Sequence, residues 1–149
     1  MMITLAMALF SCAGTRPTDL GERDGRLAPC PSSPNCVSSD ADASDTGHHV
    51  APFVLAASDP AAAWKAAREA VAALERTEIV SEGEGYLHAE VTSALMGFVD
   101  DLELHLRPDH GIIAVRSASR VGYGDMGVNR RRVEALRDEL ERQGVVEAD

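Results

Sequence analysis

The spacing of apolar residues along the chain predicts two helices. In two segments these residues recur every three or four positions, as they do along the buried face of a helix. The first segment follows Asp59, a good capping residue, and Pro60, which suits the first helical position, and it should end near Arg76. The second begins near Asp125 and places Asn129 on its apolar stripe.

Segments in which apolar and polar residues alternate predict the strands of an antiparallel sheet. The first, residues 50–56, contains Pro52, which confines it to a sheet edge or to a strand start. The other predicted strands lie at 78–81, 86–92, 98–106 and 112–119. Residues 29–45 are rich in Ser, Pro and Asp, so we expect them to form a loop.

The strand predicted at 98–106 carries charged residues in both of its phases. Asp100 shares a phase with Leu102 and other apolar residues, so its carboxylate needs a partner inside the fold. Asp101 and Glu103 take the opposite phase, which we expect to face solvent. The same alternation predicts a solvated side chain for His88 on the preceding strand.

Consecutive strands between a first and a last helix favour the α+β class. We predict an antiparallel sheet of four to five strands with both helices packed on one face. A length of 149 residues indicates one folded domain, which we place at residues 29–143. A flexible tether at 12–28 and a disordered leader at 1–11 would precede it, and a tail at 144–149 would follow.

The first ten residues are uncharged and mostly apolar, and they are too few to span a bilayer. Such a run is typical of a secretory signal peptide, which we assign to residues 1–11. Leu9-Phe10-Ser11-Cys12 resembles the cleavage box of bacterial lipoproteins, in which the cysteine becomes the lipidated N-terminus. The large Phe10 and the lack of a preceding Lys or Arg depart from that pattern. A short buried helix or a misassigned start is the alternative.

Lipidation of Cys12 would leave Cys30 and Cys36 as a pair in the segment CPSSPNC. An oxidising compartment permits a disulfide that closes this short, proline-restricted loop. The alternative is a metal site formed with His48 and His49, but their spacing fits no zinc pattern. We therefore predict a disulfide and no metal or cofactor.

Composition narrows the range of partners. The net charge of −10 and the pI of about 4.9 make nucleic acid and anionic lipid surfaces poor partners. Aromatic residues make up only 4% of the chain, so the core must be built from Ala, Val, Leu and Ile. Among the few aromatic residues, Trp64 is the largest side chain that we expect to be buried.

Residues 116–140 crowd polar groups where a strand ends, a Gly-rich turn follows and a helix begins. We expect Arg116 to lie close enough to Asp100 to form an ion pair. Three arginines at 130–132 stand near the helix start, against its dipole, so they require an acidic partner, a ligand or solvent. The candidate site residues are Asp100, Arg116, Ser117, Ser119, Arg120, Asp125, Asn129 and Arg130.

Two interpretations of these residues compete. They could form a buried network of ion pairs and caps that fixes the helix against the sheet. They could also form a pocket for a small anionic or polar ligand, since arginines, hydroxyls and helix N–H groups suit a carboxylate or phosphate. An enzymatic function is less well supported than either interpretation, because the sequence contains no nucleophile motif, phosphate loop or metal motif. Asp100 as a general base beside Arg116 is conceivable, but no motif supports a hydrolase.

Three segments together resemble one protein family: CPSSPNCVSS, GFVDDLE and RSASRVGYGDMGVNRRRVEAL. They are similar to the domain of unknown function 1499, DUF1499, over about residues 27–140. Family members are bacterial, with relatives in plant plastids, and many carry a signal or lipoprotein leader. The family has no established activity, so the resemblance implies a domain and no reaction. Its motif positions here are Cys30, Pro34, Asn35, Cys36, Ser38, Ser39, Asp100, Asp101, Arg116, Ser117, Ser119, Arg120, Gly122, Asp125, Asn129 and Arg130.

The sequence thus predicts a periplasm-facing lipoprotein of the bacterial cell envelope, held at the membrane by a lipid on Cys12. Such a domain would bind a small anionic or polar ligand or an envelope protein partner. The alternative is a structural or scaffold lipoprotein that has no ligand. The sequence does not distinguish between anchoring in the inner membrane and anchoring in the outer membrane.

Overall fold

The computed structural model describes residues 13–56 and 59–148, and the predicted leader and Cys12 lie outside these ranges. The fold is α+β, as predicted, and its centre is an antiparallel sheet. The strands are β1 (Glu22–Arg23), β2 (Arg26–Leu27), β3 (Cys36–Ser38), β4 (Phe53–Val54), β5 (Thr77–Gly83), β6 (Tyr86–Thr92), β7 (Val99–Arg107) and β8 (Ile112–Ser119). The helices are α1 (Pro60–Ala72) and α2 (Val128–Arg142).

The main sheet has the strand order β3-β8-β7-β6-β5, and β4 also pairs with β8. Strands β3 and β4 lie one after the other along the same edge of β8, opposite residues 116–118 and 112–113 respectively. The sheet therefore has six strands rather than the four to five predicted. The additional strand is β3, in a segment predicted to be loop, because a single apolar residue among polar neighbours gives no strand pattern.

Both helices start near the positions that the sequence predicts. The carboxylate of Asp59 accepts hydrogen bonds from the backbone N–H groups of Ala61 and Ala62, and Pro60 opens α1. Helix α1 ends at Ala72, four residues before the predicted end at Arg76. Arg76 instead adopts a left-handed backbone, with φ of 53°, and its carbonyl accepts a hydrogen bond from Thr92 of the sheet.

The hydrophobic core lies between one face of the sheet and the two helices. Its fully buried side chains include Leu87, Leu102 and Leu104 from the sheet and Leu136 and Leu140 from α2. Trp64, predicted to be the largest buried side chain, is only partly buried, and the largest fully buried one is Phe53. Helix α1 turns Ala63, Ala67 and Ala70 toward the sheet, so Trp64 lies on the flank of its buried stripe.

The other face of the sheet is also covered, and the prediction that its charged residues face solvent is wrong. His88, Asp101 and Glu103 are all buried. The segment predicted as a tether lies on this face: its β1–β2 hairpin buries Leu27, and the N–H group of Gly21 donates to Glu103 Oε1 at 2.8 Å. Alternation shows which side chains share a face, but it does not show whether another segment covers that face.

Within the described residues, neither helix is long and apolar enough to cross a membrane.

We expect Leu102→Ala to lower the free energy of unfolding by about 2–5 kcal/mol, because it leaves a cavity in a fully buried part of the core. The matched control is Leu95→Ala, at a side chain that is 96% exposed, which should change stability by less than about 0.5 kcal/mol. Denaturant unfolding followed by circular dichroism measures both. Equal stability of the two variants would contradict the described core.

Candidate functional site

The first turn of α2 is fixed over the sheet by hydrogen bonds that converge on Asn129, a fully buried residue. Its Nδ2 group donates to Ser119 Oγ at 2.9 Å and to Asp125 Oδ2 at 2.8 Å. Its Oδ1 atom accepts from Ser117 Oγ at 2.6 Å and from Arg132 Nη1 at 2.7 Å. Four of these five residues were predicted to be site residues, and the structure brings them together at the end of β8.

Gly127 is the N-cap residue of α2, and the predicted cap residue, Asp125, lies two positions earlier and binds the first turn through its side chain. Its carboxylate accepts hydrogen bonds from the backbone N–H groups of Gly127, at 2.8 Å, and Asn129, at 2.9 Å. Burial alone would raise the pKa of Asp125, but these hydrogen bonds outweigh it and hold the pKa below its ordinary value. Asp125 therefore occupies donors that an anion at a helix N-terminus would otherwise use.

The inward carboxylate of Asp100 has a cationic partner, but the partner is not the one predicted. Arg132 Nη2 lies 2.6 Å from Asp100 Oδ2, whereas Arg116 lies on the opposite face of the sheet. The register explains this, because Arg116 stands opposite Glu103, and Asp100 stands opposite Ser119. The predicted pairing of Arg116 with Asp100 is therefore wrong.

Arg130 uses its guanidinium to hold the loop between β3 and β4. Its Nη1 atom donates to the carbonyl oxygen of His49 at 2.9 Å, and its Nη2 atom donates to those of Thr46 and Gly47, both at 3.1 Å. Each of these acceptors is a backbone group. This arginine thus ties the start of α2 to a neighbouring loop.

A second polar network lies on the sheet face opposite the helices and centres on Arg120. The guanidinium binds Asp101 through two hydrogen bonds, from Nε at 2.9 Å and from Nη2 at 2.6 Å, and it also donates to Glu90. His88 Nε2 lies 2.7 Å from the same Asp101 carboxylate. Burial alone would raise the pKa of Asp101, but the hydrogen bonds from Arg120 and His88 hold the pKa below its ordinary value.

Glu103 and Arg116 continue this network along the same face. Arg116 Nη1 lies 3.1 Å from Glu103 Oε2, and Glu103 Oε1 accepts from the hydroxyl of Tyr86 at 2.8 Å. Burial and the nearby Glu103 carboxylate raise the pKa of Tyr86, so its hydroxyl stays protonated and donates. Among the described residues, the buried Arg116 Nε has no hydrogen-bond partner.

The predicted candidate residues are thus divided between the two faces of the sheet. Arg116 and Arg120 lie on the face away from the helices, and the other residues lie at the junction with α2. Sequence reasoning missed Glu103, His88 and Arg132 as network members. The inward phase of Asp100 predicts a buried cationic partner. The sequence does not show which of the three consecutive arginines at 130–132 pairs with this carboxylate.

His88, Glu90 and Asp101 form the one described group with a metal-like arrangement, since their ligand atoms lie within 4.8 Å of one another. Arg120 donates hydrogen bonds to both carboxylates of this group. A divalent cation would have to displace that guanidinium. We therefore interpret these residues as an ion-pair network.

The predicted disulfide between Cys30 and Cys36 is present, with a Cα–Cα distance of 5.6 Å. The loop that it closes is bound to the turn between β8 and α2. Asn35 donates from Nδ2 to the carbonyl oxygen of Gly122 at 2.7 Å and accepts at its own carbonyl from the N–H group of Ser119 at 2.9 Å. The alternative of a metal site at the two cysteines is excluded, because both thiols are used in the disulfide.

Comparison with known families matches this sequence to a family described as "Protein of unknown function (DUF1499)" over residues 26–140, most of the chain. The chain belongs to the DUF1499 family. The matched region of this DUF1499 protein contains the disulfide loop, all strands from β2 to β8 and most of α2. No curated protein and no solved structure matches it.

We expect Arg132→Ala to cost about 3–5 kcal/mol of stability, because it leaves the Asp100 carboxylate buried without its cation. Arg131→Ala is the matched control, since Arg131 is exposed and its guanidinium donates to the backbone carbonyl of Met126, and it should cost about 1 kcal/mol or less. Adding Asp100→Asn to Arg132→Ala should recover part of the loss. Equal denaturant midpoints for the two single variants would refute the ion pair.

Arg120→Ala should cost about 3–5 kcal/mol near pH 7, because it removes the guanidinium from the buried Asp101 carboxylate and leaves that carboxylate with His88 alone. The lowered pKa of Asp101 stabilises the fold above the ordinary carboxylate pKa of about 4. That stabilisation is lost as the pH falls through the lowered pKa, so the difference between wild type and variant should shrink in acid. Unfolding measured at pH 7 and at pH values below about 4 tests this.

The control is Lys65→Ala, which removes an exposed lysine that lies 3.9 Å from Glu69. It should change stability little at either pH, because exposed ion pairs contribute little. A difference between wild type and Arg120→Ala that is independent of pH would show that Asp101 does not depend on this arginine.

Proposed function

We propose that this DUF1499 protein is a lipid-anchored module of the bacterial cell envelope that acts structurally, at a membrane surface, rather than as an enzyme. The observation that carries the proposal is the disulfide between Cys30 and Cys36, in the matched family region. Disulfides form and persist in oxidising compartments such as the periplasm. The sequence Leu9-Phe10-Ser11-Cys12, which follows an apolar leader and resembles a lipoprotein cleavage box, supports export to that compartment.

The pairing of the polar groups supports a structural role for the junction. Asp100, Asn129 and Asp125 each bind groups of the chain itself. A small anion placed there would have to displace Asp125 from the helix N-terminus or Asp100 from Arg132. Breaking a buried ion pair costs several kcal/mol, which would subtract from the affinity of such a ligand. We therefore rank a small-ligand site at this junction second.

A cleft at the start of α2 is where a small polar ligand could still bind. It has a volume of about 320 Å³, and its lining includes Asp125, Arg130 and Pro34 of the disulfide loop. Arg130 donates three hydrogen bonds to backbone carbonyls, so much of its donor capacity is already used. This cleft therefore favours a neutral polar molecule over an anion.

A hydrolase is the least supported function. Nucleophilic catalysis needs a hydroxyl or thiol beside a general base. Throughout residues 13–56 and 59–148, no serine hydroxyl or cysteine thiol is hydrogen-bonded to a histidine ring. The buried Ser117 hydroxyl contacts Asn129 and Arg132, and neither is a base.

The lipid anchor is tested by expressing the full chain in a bacterial host supplied with radiolabelled palmitate. We expect the wild type to incorporate label and to fractionate with membranes, and Cys12→Ser to lose both properties. Ser11→Ala is the matched control, because it keeps a small residue before the cysteine and should be labelled like the wild type. Globomycin, which blocks the lipoprotein signal peptidase, should cause the precursor to accumulate. An unlabelled, soluble wild type would overturn the proposal.

A further inference from the structure

Two loops of the domain expose large apolar side chains. Leu95 and Met96 lie in the loop 93–98 between β6 and β7, and their side chains are 96% and 60% exposed. Tyr123 and Met126 lie in the segment 121–128 between β8 and α2, and they are 76% and 92% exposed. Connecting loops usually carry polar residues, so exposed apolar side chains at their tips require an explanation.

These two loops also have almost no charge, although 26% of the chain consists of charged residues. Asp125 is the only charged residue in them, and its carboxylate is bound to the N–H groups of Gly127 and Asn129. A loop surface that contacts only solvent usually carries charged side chains at such positions. The composition instead suits contact with an apolar medium.

Both loops lie at one end of the sheet, which we call the loop end and define as residues 93–98 and 121–128. The strand β7 follows the first loop, and β8 precedes the second, and these two strands are paired. Asp100 stands opposite Ser119, and the N–H group of Arg120 donates to the carbonyl oxygen of Val99 at 3.2 Å. The loops therefore leave the sheet from the same end of adjacent strands.

The N-terminal segment leads to this same end. Followed backward along the polar face, Gly21 contacts Glu103, and Arg16 lies 2.6 Å from Glu90. Gly14 then lies against Arg120, since a Cβ atom at Gly14 would be 3.0 Å from Arg120 Cβ. Cys12 is two residues further on, and two extended residues span about 7 Å. A lipid on Cys12 would thus leave the domain beside the loop end.

From this placement we infer that the loop end is the membrane-binding surface of the domain. Leu95, Met96, Tyr123 and Met126 insert into the interfacial layer of the bilayer beside the acyl chains carried by Cys12. The inference rests on the proposed lipid anchor. The loop end contacts the apolar and interfacial part of the membrane rather than anionic headgroups, because the chain has a net charge of −10.

A bilayer fits this surface better than a folded partner for two reasons. The apolar side chains project from two loop tips, and a fluid bilayer accepts such projections without a matching groove. Tyrosine is also enriched at membrane interfaces, where its ring is apolar and its hydroxyl is hydrated. The inserted loops attach the domain to the membrane at a second point, in addition to the lipid on Cys12. Two points of attachment would hold the sheet in one orientation relative to the membrane.

The test measures how deeply single tryptophans enter the bilayer. The full acylated chain, carrying Trp64→Phe to remove the native tryptophan, is reconstituted into phosphatidylcholine vesicles with and without brominated acyl chains. Leu95→Trp and Met126→Trp each place a probe on one loop of the loop end. Asp109→Trp is the matched control, because Asp109 is exposed in the turn between β7 and β8 at the opposite end of the sheet.

We expect brominated lipid to quench both loop-end probes and their emission to shift to shorter wavelength, whereas the Asp109→Trp probe should be unaffected. Emission typical of water at both loop-end probes would overturn the inference. A shift to shorter wavelength without quenching would also overturn it, because a second copy or a protein partner would then cover the loops. Circular dichroism confirms that each variant is folded.

Flotation of the vesicles distinguishes failure of the loop-end inference from failure of the proposed lipid anchor. If the palmitate-labelled protein floats with vesicles but its loop-end probes stay in water, the orientation is wrong and the anchor stands. If the full chain is neither labelled nor floats, the proposed function fails and the loop-end inference fails with it.

Discussion

Strand β7 carries buried carboxylates on both of its faces, and the fold depends on the cations that neutralise them. Asp100 faces the helices and meets Arg132 of α2. Asp101 and Glu103 face the other way and meet Arg120, which directly follows β8, and Arg116 of β8. A buried carboxylate without a partner costs several kcal/mol, which is a large share of the stability of a domain of this size. The central pair of strands, the second helix and the polar face are therefore energetically linked.

The end of the sheet at which β7 begins and β8 ends contains several of the polar residues that the sequence predicted as site residues, among them Ser119 and Asn129. The disulfide loop, the end of β8 and the first turn of α2 meet there through Asn35 and Asn129. Their hydrogen bonds are made within the chain, so they hold three segments of distant sequence in one arrangement. This rigid base carries the two apolar loops that lie beyond it.

This arrangement separates the tasks of the polar and the apolar residues. The polar residues that looked like a binding site in the sequence lie inside and pair with each other, which supports an architectural role. Several large apolar side chains, among them Leu95 and Met126, instead lie at the surface. Whatever the domain contacts, its surface chemistry at the loop end is apolar and nearly uncharged.

The sequence by itself determined the elements whose signals are local. The cap at Asp59 and the alternation in β6 and β8 depend on neighbouring residues only, so these elements lie close to their predicted positions. The stripe of α2 likewise predicted that Asn129 would be buried. The pairing of Cys30 with Cys36 also followed, because the two residues stand in one short loop.

Only the tertiary structure decided what covers each face of the sheet and which charges meet. Alternation placed Asp101 and Glu103 on one face, but solvent exposure of that face depended on a segment some 80 residues earlier in the chain, at Gly21. The register of β7 against β8 then set Arg116 opposite Glu103 and away from Asp100. Such pairings depend on contacts between distant segments, and a single sequence carries no local pattern for them.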